Sequence, residues 1–248
     1  LVANPPAEFL AKCKARLGHR VMAEFMRIQI EVGEARGELQ ELRGTVAEVA
    51  CRYGLAPIAA STHPFGHWRK QSHTDKERYA DLANALQATV RLLLICSMHV
   101  HVTVEEEDMR PSARYPTLGM RMTDFCTSLE DSLTVAALYQ CILAILYRLR
   151  TSNQRWRIYP LICVQENRWR ARHYGITDSS VDFGPKTRCL MASCWPRLGI
   201  WWPRTLRPLG CADEIRHARE NLAKGTSAQI RCGSMTRPSR AAPIRRMP

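Results

Sequence analysis

The sequence is short of several things, and each shortage closes off a class of protein. It has ten cysteines but no CxxC pair, and Cys189 and Cys194 stand apart from other ligand types. Zinc ribbons and thioredoxin-type redox sites are therefore not indicated, and reduced core thiols are the expectation for most of the ten. No uninterrupted apolar run reaches the length of a membrane span. The longest candidate, Leu133 to Tyr147, contains Gln140 and lies between Asp131 and Arg148, so it reads as a buried helix. The start, "LVANPPAEFLAKCKAR", lacks a basic, apolar and small-residue succession, so the expectation is a cytoplasmic protein. Internal repeats, a Walker loop, a nucleophile elbow and a dinucleotide fingerprint are all missing.

Acidic residues are scarce only at one end. Residues 1–185 hold 23 Lys+Arg and 20 Asp+Glu, whereas 186–248 hold 13 and 3. Ten of the thirteen net positive charges thus belong to the C-terminal part. A nucleic-acid reading would rest there and on the Arg/Trp-rich run "NQRWRIYPLICVQENRWRAR"; it ranks last, since no known module is present. Hydrophobic residues make up 46% of the 248, enough for a core and too many for a disordered chain.

Periodicity supplies the elements. Helices are expected at 5–20, 36–53, 75–93, from Thr127 or Ser128 to about 150, and at 161–173 with Gly175 as the stop. Strands are expected at 26–33, 55–61, 96–104 and 115–123. The class is α+β, with a partial antiparallel sheet and packed helices. Residues 1–185 read as one domain. Residues 186–228 read as a degenerate segment with one helix at "CADEIRHARENLAKG", and 229–248 as a basic Pro/Arg tail.

The chemistry concentrates on two strands. In "SMHVHVTV", alternation sets His99, His101 and Thr103 on one face and Met98, Val100 and Val102 on the other. In "TLGMRMT", Thr117, Gly119, Arg121 and Thr123 share a face, opposite Leu118, Met120 and Met122. Joined in one sheet, the polar faces combine two imidazoles with Arg121, and Glu31 from "QIEVG" could add a carboxylate. Imidazole and carboxylate suit divalent metals, and arginine suits phosphate oxygens. A plain solvent-facing sheet would show the same pattern, and HxH alone favours that reading. Around these strands lie His63 and His67 in "THPFGHW", Arg78 in "DKERY", and Arg110 and Arg114 in "RPSAR". Tyr79 belongs to an apolar helix stripe, and the acidic run Glu105–Asp108 has no period.

Taken in order, "QIEVG", "STHPFGHW", "TDKERY", "LLICSMHVHV", "DMRPSARYPTLGMRMTDFCTSLEDSLTVAALYQ", "NQRWRIYP…ENRWRARHYGI" and "LGCADEIRHARENLAKGTSA" resemble the carboxylate–amine ligase family related to the bacterial glutamate–cysteine ligases. The resemblance implies a glutamine synthetase-like fold, a curved sheet holding ATP and Mg2+ on its concave face, with residues 1–185 as an incomplete ligase-like catalytic domain. It implies a glutamate-like carboxylate and a cysteine-like amine as small-molecule substrates, no membrane association, and leaves a homo-oligomer open. It places Glu31 and His99 at metal positions, and His101 at a nucleotide-phosphate contact. Arg110, Arg114 and Arg121 would handle phosphate or substrate during catalysis, with Thr62, His63 and Arg78 on the substrate side.

The departures are specific. The family begins with a strand of closely spaced glutamates, and this sequence begins after it. Ser61 replaces a glycine before "THPF". Only "TVEEEDM" separates "HVHV" from "RPSAR", where the family has a long helical segment. The family pattern before Arg121 is Leu-Glu-x-Arg, and here Gly119 stands at the carboxylate position. Residues 186–208 resemble translation in a shifted frame. The expectation is a family domain with little or no turnover, or a non-catalytic nucleotide- or partner-binding relative.

Overall fold

A computed structural model describes residues 4–27, 29–33, 38–61, 66–87, 95–103, 117–190, 193, 205, 208–226 and 229. It divides into two compact units. The first comprises Leu1–His101 and Gly119–Leu129, the second Val102–Leu118 and Glu130–Pro248.

In the first unit, α1 (Ala7–Leu17) follows a Pro-Pro pair, with Glu8 in its first turn and Lys14 and Arg16 in its last. That distribution complements the helix dipole. Phe9, Cys13 and Leu17 recur at helical spacing and are buried against Leu42, Val46, Val49 and Ala50 of α2 (Leu39–Cys51). Arg16 closes the outside of this pair on Glu48 at 2.7 Å. Strand β1 (Val21–Ala23) pairs antiparallel with β2 (Ile30–Val32), and Met22 lies opposite Glu31. Helix α3 (Glu77–Leu86) ends at Gln87, whose φ of 48° leaves the helical region. Tyr79 is buried, edge-on to Phe25 at 5.3 Å. Strands β3 (Ser97–Thr103) and β4 (Thr117–Asp124) form a separate two-stranded sheet.

In the second unit, α4 (Leu129–Thr151) carries the acids Glu130 and Asp131 in its first turn and Arg148 and Arg150 in its last. Its buried residues Ala137 and Cys141 pack on Cys211 and Ile215 at the start of α6 (Ala212–Lys224). The Asp131 carboxylate accepts from His217 Nε2 at 3.1 Å and from Asn221 Nδ2. Helix α5 (Leu161–Tyr174) stops at Gly175, φ 59°, as its sequence requires. A hairpin of β5 (Ser179–Asp182) and β6 (Thr187–Leu190) lies against it.

The class is α+β: among the described residues there are six α-helices with small antiparallel sheets. Several local expectations change. Residues 55–61 form no strand, because Ile58 is exposed and only Ala60 is buried. The 26–33 segment contributes just Ile30–Val32, with Met26 instead bridging to His73. The short strands β1, β5 and β6 were not expected, since three or four residues are too few to show a period. Met122 is 84% exposed rather than facing a core. Helix α4 is long and apolar enough to cross a membrane by length and composition, but it is not buried all round: Ile142, Leu146 and Tyr147 are exposed opposite the α6 contact. Cys13, Cys141 and Cys211 are buried free thiols, Cys51 is exposed, and Cys189 is disulfide-bonded.

Candidate functional site

The alternation read in β3 holds. Ser97, His99, His101 and Thr103 are exposed, and Met98, Val100 and Val102 are half-buried. Period two forces this, because the apolar side must turn inward for the strand to hold any place at all. On β4, Gly119 and Arg121 are exposed, while Thr123 is half-buried and donates its hydroxyl to Met98 O at 2.9 Å. That bond ties the two strands near the histidines.

Gly119 and His101 are in direct contact across the pair. A Cβ built on Gly119 would lie 2.9 Å from His101 Cε1 and 3.2 Å from Nδ1. The imidazole therefore occupies the space directly above position 119, where any side chain would have to begin. The backbone of Gly119 is not left-handed, so conformation does not require glycine there; the close approach does.

His99 sits one step along the same face, its Nε2 2.9 Å from Ser97 Oγ. Its pKa is held below the ordinary imidazole value. Partial burial is the main cause, followed by the Arg121 guanidinium, with His101 adding to it; Glu31 and Glu24 pull the other way. The four charged or polar neighbours that sequence reading proposed for one face, Glu31, His99, His101 and Arg121, thus share one electrostatic neighbourhood. They come from two separate two-stranded sheets rather than one continuous sheet.

Arg78 lies on the edge of this neighbourhood. It donates to Tyr79 Oη at 2.6 Å, and its guanidinium carbon is 4.5 Å from that ring's centroid. Its pKa is raised first by the Tyr79 hydroxyl and then by Glu24 and Glu31. Glu24 was missed by the sequence reading. Its carboxylate accepts from Phe25 N at 2.8 Å and acts on Arg78, Cys96 and His99 alike. It stands at the end of a three-residue strand, where no periodicity marks it. Gln29, also unflagged, reaches Ile95 O at 3.1 Å and Cys96 Sγ at 3.3 Å, anchoring the entry to β3.

Thr62, His63, Arg110 and Arg114 lie outside the described residues. Among the described residues, no group of three or more His, Cys, Asp or Glu side chains is arranged to hold a metal ion. The partial donor set of Glu31 and His99 does not by itself make a metal centre. What the face offers is a mixed strip: two imidazoles, two carboxylates and two guanidiniums around a glycine, suited to anionic oxygens and to proton exchange.

The sequence model of "Glutamate-cysteine ligase family 2" matches this chain in two pieces, residues 27–110 and 105–242. The second piece runs through 186–208, the stretch set apart by composition. Curated proteins with the name "Putative glutamate–cysteine ligase 2" are similar to it. The one from Rhodospirillum rubrum is 36% identical over 338 positions, covering 96% of this chain and 87% of the relative. The one from Jannaschia sp. is 34% identical over 316 positions, covering 92% and 83%. The one from Paracoccus denitrificans is 32% identical, covering 73% and 72%. An alignment of 338 positions cannot be filled by 248 residues, so part of the relative faces no residue here. The two matched pieces overlap at 105–110, a stretch that includes the run Glu105–Asp108.

Proposed function

Because the chain belongs to glutamate–cysteine ligase family 2, we propose that the β3–β4 face is one wall of an ATP-dependent carboxylate–amine ligase site whose turnover in this chain is lost or nearly so. In the reaction implied by the family, a carboxylate oxygen of a glutamate-like substrate attacks the γ-phosphorus of ATP and ADP leaves. A cysteine-like amine then attacks the acyl phosphate carbonyl. Phosphate departs, the amine gives up a proton, and an amide remains. When bound, Mg2+ would neutralise phosphate charge.

This chain's own residues divide the work by charge. Arg121, with Arg110 and Arg114, would stabilise the transferring phosphoryl oxygens as a planar guanidinium does, by paired hydrogen bonds. His101 would touch nucleotide phosphate. His99, whose proton affinity is lowered by partial desolvation and by Arg121, favours the form with a free lone pair, as a ligand or proton acceptor must. Glu31 would accompany it on the metal side. Thr62, His63 and Arg78 would meet the substrate carboxylates.

The observation that carries the loss of turnover is Gly119 beneath His101. A carboxylate is expected at this position, and the imidazole has taken its space. Removing one preorganised electrostatic group from a transfer site typically costs about 10²–10³ in rate, roughly 3–4 kcal/mol. The test is ADP release with Mg-ATP, glutamate and a panel of amines. Turnover of about 1 s⁻¹ or more, the low end of ordinary enzymes, would refute the proposal.

A second reading is nucleotide binding without turnover. Exposed Arg121 beside His99 favours it, since a guanidinium and an imidazole can hydrogen-bond phosphate oxygens without completing a metal site. Stabilisation by Mg-ATP in a thermal melt supports it, and an unchanged melt at millimolar nucleotide removes it.

A further inference from the structure

Helices α4 and α6 of the second unit lie antiparallel, since their contacts run in opposite order along the two segments. Asp131 accepts from His217 and Asn221, Thr134 donates to Glu214 O at 3.2 Å, and Ala137 and Cys141 pack on Ile215 and Cys211. These rungs fix a register, and the register brings two sulfurs together. Cys141 Sγ and Cys211 Sγ are 3.3 Å apart, although 70 residues separate them in the chain. Both thiols are fully buried and both are reduced. The cluster around them is apolar, with Ala137, Leu138, Leu209 and Ile215. Two small hydrophobic side chains would fill this core equally well, and the proposed ligase chemistry uses neither cysteine. Two sulfurs in contact can also bond. A disulfide spans about 2.05 Å, so closure needs an approach of roughly 1.3 Å, within reach of small side-chain rotations.

We propose that Cys141 and Cys211 are a modification site, a thiol pair that a low-molecular-weight disulfide converts into a reversible bond between α4 and α6. One protein thiolate attacks a sulfur of the small disulfide, forms a mixed disulfide and expels one small thiolate. The second protein thiolate attacks the protein sulfur of that mixed disulfide and expels the other. Two protein thiols thereby lose two protons and two electrons, and the small disulfide is reduced to two thiols. Access comes from local opening. Helix α6 buries just Ile215 and Ala218 along its length, and an element held by so little undocks before its unit unfolds. Undocking uncovers both sulfurs at once, because each covers the other. Redocking then restores the register that opposes them. The bond closes a long loop of chain, so it constrains the unfolded state strongly and stabilises the docked helix. The inference is independent of whether the chain turns over.

The experiment treats the full chain in native buffer with 2-hydroxyethyl disulfide, quenches with acid and maps non-reduced peptides by mass spectrometry. The exposure lasts as long as a thiol reagent needs to label Cys141 in a parallel sample. The expected product is one linked pair, Cys141 with Cys211, lighter by two hydrogens and returned to thiols by dithiothreitol. Cys126 and Cys163 are nearer to Cys141 along the chain and are its favoured partners in an unfolded ensemble. Predominant linkage of Cys141 to either of them overturns the proposal. So does recovery of Cys141 and Cys211 as unlinked thiols or as separate mixed disulfides. The melting temperature of the oxidised chain should rise by about 5 °C or more. Cys211→Ser, which keeps the size of the side chain, should remove that rise. A rise that persists in the variant assigns the effect to another cysteine and overturns the proposal. Should the variant not fold, the peptide map of the unaltered chain decides alone.

Discussion

Replacing Gly119 by alanine tests the contact that underlies the proposed loss of activity. The new Cβ would stand 2.9 Å from His101 Cε1 and 3.2 Å from Nδ1. Carbon atoms rest at about 3.5–4.0 Å, so the ring must withdraw by roughly half an ångström or more. His101 is an exposed side chain, and turning it off its rotamer costs about 0.5–1.5 kcal/mol. Against this, exchanging glycine for alanine where the backbone allows it stabilises by about 0.4–1 kcal/mol. The two effects nearly cancel in the native background. With His101→Ala the clash vanishes and only the gain remains. A double-variant cycle in urea, followed by far-UV circular dichroism, should therefore show a coupling of about 1 kcal/mol between positions 101 and 119. If Gly119→Ala stabilises equally in both backgrounds, to within about 0.3 kcal/mol, the imidazole is not above Gly119 and the argument for a displaced carboxylate fails. The same cycle with Gly119→Glu adds a functional readout, because the restored carboxylate should raise Mn2+ affinity most when His101 has been truncated.

Four further outcomes are expected. The depressed pKa of His99 means the folded chain takes up its proton less readily than the unfolded one. Its contribution to stability is therefore intact above the ordinary imidazole value of about 6.5 and declines as pH falls from there through the folded-state value. Arg121→Ala removes one of the lowering causes, so the His99 Cε1–H titration midpoint should rise by NMR; a midpoint that falls would contradict the placement of Arg121 beside it. Leu42→Ala empties a site of complete burial between α1 and α2 and should cost about 2–5 kcal/mol in urea unfolding. A thiol reagent should modify exposed Cys51 at once, while Cys13, Cys141 and Cys211 react no faster than the protein opens. For Cys13, burial also raises the thiol pKa and lowers its thiolate fraction. Immediate labelling of Cys141 would be inconsistent with its packing 3.3 Å from Cys211 Sγ.

The sequence by itself determined what depends on period and on local chemistry. Helical spacing of Phe9, Cys13 and Leu17, and of Leu42, Val46 and Val49, defined the two helices that face each other, because an apolar stripe has only one stable use. Alternation set His99 and His101 on an open face, and Gly175 ended α5. Tyr79 was rightly assigned to a core stripe. Other features depend on partners distant in the chain, and only the tertiary structure decided them. Met122 continues the alternation of β4 yet is exposed, because whether an apolar strand face is covered depends on elements distant in the chain. Residues 55–61 are apolar enough for a strand but form no ladder, and a strand exists only through its hydrogen-bonded neighbour. Glu24 entered the site through electrostatic reach to Arg78, Cys96 and His99, a relation no spacing encodes. Gly119 joins both sources. The sequence marked it as a missing carboxylate, and the fold revealed that the space above it is filled by His101, because side chains on paired strands occupy a common surface.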